Sequence, residues 1–114
     1  MRIFPSTTIQ SEVHISINRN NPNNLITSCN TIFPHTGFSD VNQGHYFTTN
    51  GGITWQGDDI LQNAGGAIIS GDPSTAFNSN NSGFISTMTG AAACGSDINA
   101  LGYSTQSSTN QGLT

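Results

Sequence analysis

The feature that most constrains this chain is a repeat with a step of 60 residues. Thr48-Thr49-Asn50-Gly51-Gly52-Ile53-Thr54-Trp55 reads T-T-N-G-G-I-T-W, and Ser108-Thr109-Asn110-Gln111-Gly112-Leu113-Thr114 reads S-T-N-Q-G-L-T. Asn50 to Asn110, Gly52 to Gly112 and Thr54 to Thr114 are each a step of 60. Upstream, Glu12 to Asn18 lies 60 before Asp72 to Asn78. Each copy then passes through an Asn-rich turn (19–24, 79–83) into a second apolar run, Leu25 to Ser28 and Phe84 to Thr87. A repeat of this length is a supersecondary unit that buries its faces by stacking on its neighbours.

The unit reads as strands. Val13, Ile15 and Ile17 alternate with His14, Ser16 and Asn18, the period of two that a half-buried strand requires. Leu25 to Ser28 gives a second strand, His45 to Thr49 a third and Ile53 to Gln56 a fourth, with Asn50-Gly51 as a hairpin turn of two positive-φ residues. In the second copy the strands are Ser74 to Asn78, Phe84 to Met88 and Leu101 to Ser107, with a fourth beginning at Leu113. Long loops are expected at 30–44, 57–71 and 89–99. Composition supports an all-β chain: there is no Lys, Arg2 and Arg19 are the only Arg, and turn formers and β-branched residues abound. A net charge of −4 argues against a nucleic-acid partner, which needs a basic surface. No stretch approaches the roughly 18 apolar residues of a membrane span. The first residues have no apolar core of signal-peptide length, although a Ser/Thr/Asn-rich surface without Lys suits a secreted or cell-surface protein.

The pattern S/T-x-D/N-x-G-x-T-W resembles the Asp-box of sialidase-like, BNR-repeat β-propellers. Thr48, Asn50, Gly52, Thr54 and Trp55 match it once, and Ser108, Asn110, Gly112 and Thr114 match it again. The phrase Gly71-Asp72-Pro73-Ser74-Thr75-Ala76-Phe77 also looks like a first-strand phrase of such proteins, and the resemblance covers roughly residues 11–114. It implies antiparallel four-stranded blades of a sialidase-type propeller. The chain would hold about two of them: a lead-in at 1–10, a blade with its box at 11–70, and a second blade at 71–114 that stops within its box. A closed propeller needs about four to eight blades, so the remaining blades of a longer parent are an expected partner. In the family the box is structural. Its Asp or Asn caps the turn by accepting backbone N–H groups, its Gly takes a positive φ, and its Trp packs beneath the hairpin.

A family sialidase needs three arginines, a Tyr nucleophile with a Glu partner, and an Asp acid/base; two arginines cannot supply the triad. The family's Phe-Arg-Ile-Pro phrase is only approximated by Arg2-Ile3-Phe4-Pro5, and Arg19 falls in a turn as a solvated residue. No catalytic residue, metal site or cofactor is identified. The ligand-binding candidates are Glu12, His14 and Asp72. The resemblance puts Glu12 and Asp72 at the mouth of the channel, where paired carboxylates could bind a cation, orient a sugar hydroxyl or act as acid and base; capping the strand entrance or facing solvent is the plainer alternative. His14, two residues after Glu12, points to the same side of the strand. Asp58-Asp59 reads as an exposed acidic turn, and Asn80-Asn81-Ser82 fits a glycosylation sequon. Cys29 and Cys94 permit one disulfide or are two buried thiols.

Three functions remain open at this level. The chain is a scaffold or a glycan- or protein-binding part of a secreted propeller, a piece of an exo-sialidase whose catalytic residues lie on other blades, or a structural surface or adhesin module. Two units leave sheet faces unpaired, so the chain alone is expected to be marginally stable or to aggregate.

Overall fold

The computed structural model of the chain describes residues 4–33, 41–61, 68–92 and 98–109. These form seven strands: β1 (Ile9–Ile17), β2 (Leu25–Ile32), β3 (Val41–Thr48), β4 (Gln56–Asp58), β5 (Ile68–Phe77), β6 (Gly83–Ala92) and β7 (Ile98–Ser108). They make two antiparallel sheets, ordered β1-β2-β3-β4 and β5-β6-β7, and the described residues contain no helix. The all-β reading therefore holds.

The 60-residue step is built into the backbone. Both first hairpins turn on an Asn whose side chain caps its own loop. Asn20 N–H reaches Asn18 Oδ1 at 2.9 Å, and Asn80 N–H reaches Asn78 Oδ1 at 2.9 Å. Asn21 N–H bonds the Asn18 carbonyl at 3.2 Å, and Asn81 N–H bonds the Asn78 carbonyl at 3.2 Å. These are Asx turns, which an Asn side chain forms by mimicking a backbone carbonyl. Both first strands also bulge at an equivalent place, and β5 shifts once more between Ile69 and Gly71. The pairing of β1 with β2 shifts between Ser11 and His14, and that of β5 with β6 shifts between Gly71 and Ser74. Glu12 has φ 52° and Asp72 φ 53°. A non-glycine residue at positive φ is uncommon, and an inserted bulge residue is a place where the chain tolerates it.

The register corrects one detail of the repeat. Ile17 pairs with Leu25 and Phe77 with Gly83, so Gly83 is the counterpart of Leu25 and the step there is 58. Thr48 and Ser108 pair with Leu25 and Gly83, which restores 60 in β3 and β7. The second copy has a turn two residues shorter and recovers them before β7. Setting Leu25 beside Phe84 would be off by one, and one residue turns every side chain to the other face. The fourth strand also differs from expectation. It is Gln56–Asp58, because side-chain bonds within the box hold Ile53 to Trp55 out of the ladder. The expected long loops are shorter too, since Asn30 to Ile32, Val41 to Gly44, Ile68 to Gly71 and Thr89 to Ala92 lie in strands.

One face of the first sheet lies on one face of the second, and hydrogen bonds join them. Thr87 Oγ1 donates to Gln43 Oε1 at 2.5 Å, and Gln43 Nε2 donates to Ser28 Oγ. Ser16 Oγ donates to the Thr75 carbonyl at 2.8 Å. Gln43, Ser28, Thr75 and Thr87 are all buried. The apolar part of this contact is Ile26, whose Cδ1 is 3.2 Å from where a Cβ of Gly83 would stand. The alternation read in β1 is therefore present with its polar members inward. Val13, Ile15 and Ile17 point away from the second sheet and are 55%, 47% and 56% exposed.

Candidate functional site

The structure brings Glu12, His14 and Asp72 to the seam between the sheets. Glu12 and Asp72 lie inside β1 and β5, at the bulges, and both are exposed. Asn30 on β2 bridges them: its Nδ2 donates to Glu12 Oε2 at 2.6 Å, and its Oδ1 accepts Asp72 N–H at 3.0 Å. His14 Nδ1 accepts Thr75 N–H at 3.0 Å and lies 2.9 Å from Thr75 Oγ1. Thr75 Oγ1 also lies 2.9 Å from Ser16 Oγ. The Asn30 amide and the His14 ring thus hold sheet to sheet, and the Glu12 carboxylate holds the Asn30 amide in place. Charge-assisted bonds such as Asn30 to Glu12 are the stronger kind.

The first box is formed much as its residue types require. Asn50 Oδ1 accepts Thr54 N–H at 3.0 Å and the Thr48 hydroxyl at 2.8 Å. Asn50 Nδ2 donates to Thr54 Oγ1 at 2.8 Å. Thr48 Oγ1 accepts N–H bonds from Asn50 at 3.3 Å and Gly52 at 3.2 Å. Gly51 (φ 70°) and Gly52 (φ 89°) take the positive-φ pair, one position later than the Asn50-Gly51 pair expected. Gly51 N–H reaches back to the Asn23 carbonyl at 2.9 Å, tying the box to the first hairpin. Trp55 is half-buried beside Gly52, with Nε1 3.7 Å from the position of a Gly52 Cβ. Of the second box Ser108 lies at the end of β7, while Asn110, Gly112 and Thr114 lie outside the described residues.

A third cluster was not read from the sequence. The Tyr46 hydroxyl donates to Asp59 Oδ1 at 2.6 Å and accepts Gln10 Nε2 at 2.9 Å. Ser6 Oγ donates to Asp59 Oδ2, and Thr31 Oγ1 donates to the Asp59 carbonyl at 2.6 Å. The Phe4 ring lies 5.0 Å from that of Tyr46, so residues 4–8 cover this part of the outer face. Only Asp58 of the acidic pair is exposed; Asp59 is half-buried. Tyr46 is 3% exposed, and burial together with the Asp59 bond raises its hydroxyl well above the usual tyrosine value. That is the reverse of what an activated nucleophile needs. The thiol of Cys29, also buried, donates to Tyr46 Oη at 3.9 Å and is pushed up by burial. Cys94 lies outside the described residues. The strand parity of Cys29 and Tyr46 was a signal for this cluster, but nothing local linked Ser6 and Asp59.

Among the described residues no group of three or more His, Cys, Asp or Glu side chains is placed to hold a metal ion. The described residues hold no helix long and apolar enough to cross a membrane. Comparison with known proteins finds no family model, curated protein or solved structure that matches the chain.

Proposed function

We propose that this chain is a scaffold part of a secreted or cell-surface β-propeller of the Asp-box type, one that binds glycans or proteins and has no complete active site. The observation that carries the reading is the recurrence of one backbone irregularity, the positive-φ bulge at Glu12 and Asp72, at the same point of two stacked antiparallel units. The box hairpin at 48–55, closed by Asn50, supports it. The polar groups a glycosidase would use support the non-catalytic side of the reading. Glu12 is bonded to Asn30, and Tyr46 is buried on Asp59.

The test is a glycan array probed with the labelled chain, beside a turnover assay with a fluorogenic sialoside. Binding without turnover is the expected result. Turnover that falls on Arg2→Ala or Arg19→Ala overturns it in favour of a hydrolase. Neither binding nor turnover leaves a purely structural module and removes the binding claim.

A further inference from the structure

The two sheets stack in one direction. The face of the first that carries His14, Ser16 and Ile26 covers the face of the second that carries Thr75, Phe77 and Gly83. Because the sheets are copies of one unit, each also owns the face its neighbour uses, and each of those faces is exposed along its first strand, while Thr27, Tyr46 and Thr48 beside the β1 strip are buried. On the first sheet the places of Thr75, Phe77 and Gly83 belong to Ile15, Ile17 and Leu25, which register and strand order identify. Ile15 and Ile17 are exposed, and Leu25 is half-buried. On the second sheet the places of His14, Ser16 and Ile26 belong to Ser74, Ala76 and Phe84. Ser74 and Ala76 are exposed, and Phe84 is half-buried. Residues 4–8 reach Tyr46 but leave the β1 strip bare. None of these facing residues is charged, so bringing the faces together strips no ion of its water.

We infer that a second copy of this chain docks head to tail on the first. Phe84 of one copy lies over Ile17 and Leu25 of the next, as Ile26 lies over Phe77 and Gly83 within a chain. This rests on reading the two sheets as successive blades of one repeat. The template for the contact is the seam the chain already makes. A head-to-tail contact uses two different patches, so it propagates into a ring when the rotation closes and into a filament when it does not.

Variants with one added cysteine test it, in a chain with Cys94 replaced by Ser and the buried Cys29 retained. Ile17→Cys and Phe84→Cys are each oxidised alone and then mixed. A disulfide-linked dimer in the mixture and in neither variant alone is the expected result. A dimer from either variant alone means a symmetric contact and overturns the proposal. So does a mixture without a crosslink together with a one-chain mass by light scattering at every concentration. Phe84→Asp is expected to weaken self-association by about tenfold or more, as loss of a central apolar anchor does. The intrachain pair Ser16→Cys with Thr75→Cys reports on the stacking itself. If that pair closes while the intermolecular pair does not, docking fails and the blade reading stands. If neither closes, both fail.

Discussion

Ile15 and Thr75 occupy the same place in two copies of the repeat, two positions before the end of the first strand in each. The isoleucine is 47% exposed and the threonine 5%. Hydrophobicity alone would reverse them. What separates the two residues is whether a neighbouring sheet lies on that face. Thr75 meets His14 and Ser16, and its backbone and hydroxyl are all used. Ile15 meets no second sheet. The same contrast runs through Phe77 and Ile17, and through Gly83 and Leu25. In a stacked repeat, burial follows a unit's position in the stack as much as its composition.

Exchanging residues between equivalent places tests that contrast. The largest effect is expected from Gly83→Leu, which puts the first copy's residue into the second copy's covered face. A Cβ there already stands 3.2 Å from Ile26 Cδ1 and 3.4 Å from Phe77 Cε1, so a full leucine forces the sheets apart. The cost is about 2–3 kcal/mol, the range of core overpacking, read as a lower denaturation midpoint at unchanged slope. Thr75→Val keeps the shape and deletes the hydroxyl shared by His14 and Ser16; it should cost about 1 kcal/mol, the net worth of a buried hydrogen bond. Ile15→Thr, the reciprocal change, should stay within about 0.5 kcal/mol at low protein concentration, as exposed substitutions do. A loss at Ile15 that grows with concentration would mark a face covered by self-association. A loss at Ile15 equal to that at Thr75 in dilute solution would break the comparison.

The smallest effect concerns another equivalent pair, His45 and Thr105, which oppose Ser28 and Ser86. Burial lowers the pKa of His45, against a smaller opposing pull from Asp58, and its Nδ1 has no hydrogen-bond partner among the described residues. The unfolded chain therefore takes up the proton first. Stability from this group is present above the ordinary histidine value of about 6.5 and is lost as pH falls below it. His45→Thr should flatten the decline between neutral and mildly acidic pH in denaturation midpoints. An unchanged decline would mean that the imidazole is solvated in the folded chain.

Local chemistry was legible from the sequence and long-range partnership was not. Asn18, Asn78 and Asn50 each act within four residues of themselves, so residue type and spacing were enough to place the turns and the box. The step of 58 in β2 and β6 was hidden because the Asn-rich turns have no sharp landmark; only the pairing of Gly83 with Phe77 reveals it. The alternation of β1 was plain, but an alternating strand does not say which face is covered. Glu12 and Asp72 were found by their spacing, while their bridge through Asn30 depends on two sheets meeting. The Tyr46 cluster draws on Ser6, Gln10, Thr31 and Asp59, separated by up to 53 residues, and no short pattern joins them.

The seam of Gln43, Ser28, Thr75 and Thr87 also bears on how the fold answers to temperature. Exposing polar surface lowers the heat capacity of unfolding, whereas exposing apolar surface raises it. Separating two sheets joined largely by amide and hydroxyl groups therefore changes heat capacity little. An apolar joint loosens on cooling as its entropic drive fades. This one should hold its strength over a wider span of cold, and the warm limit would be set by the apolar contacts around Ile26 and Phe77.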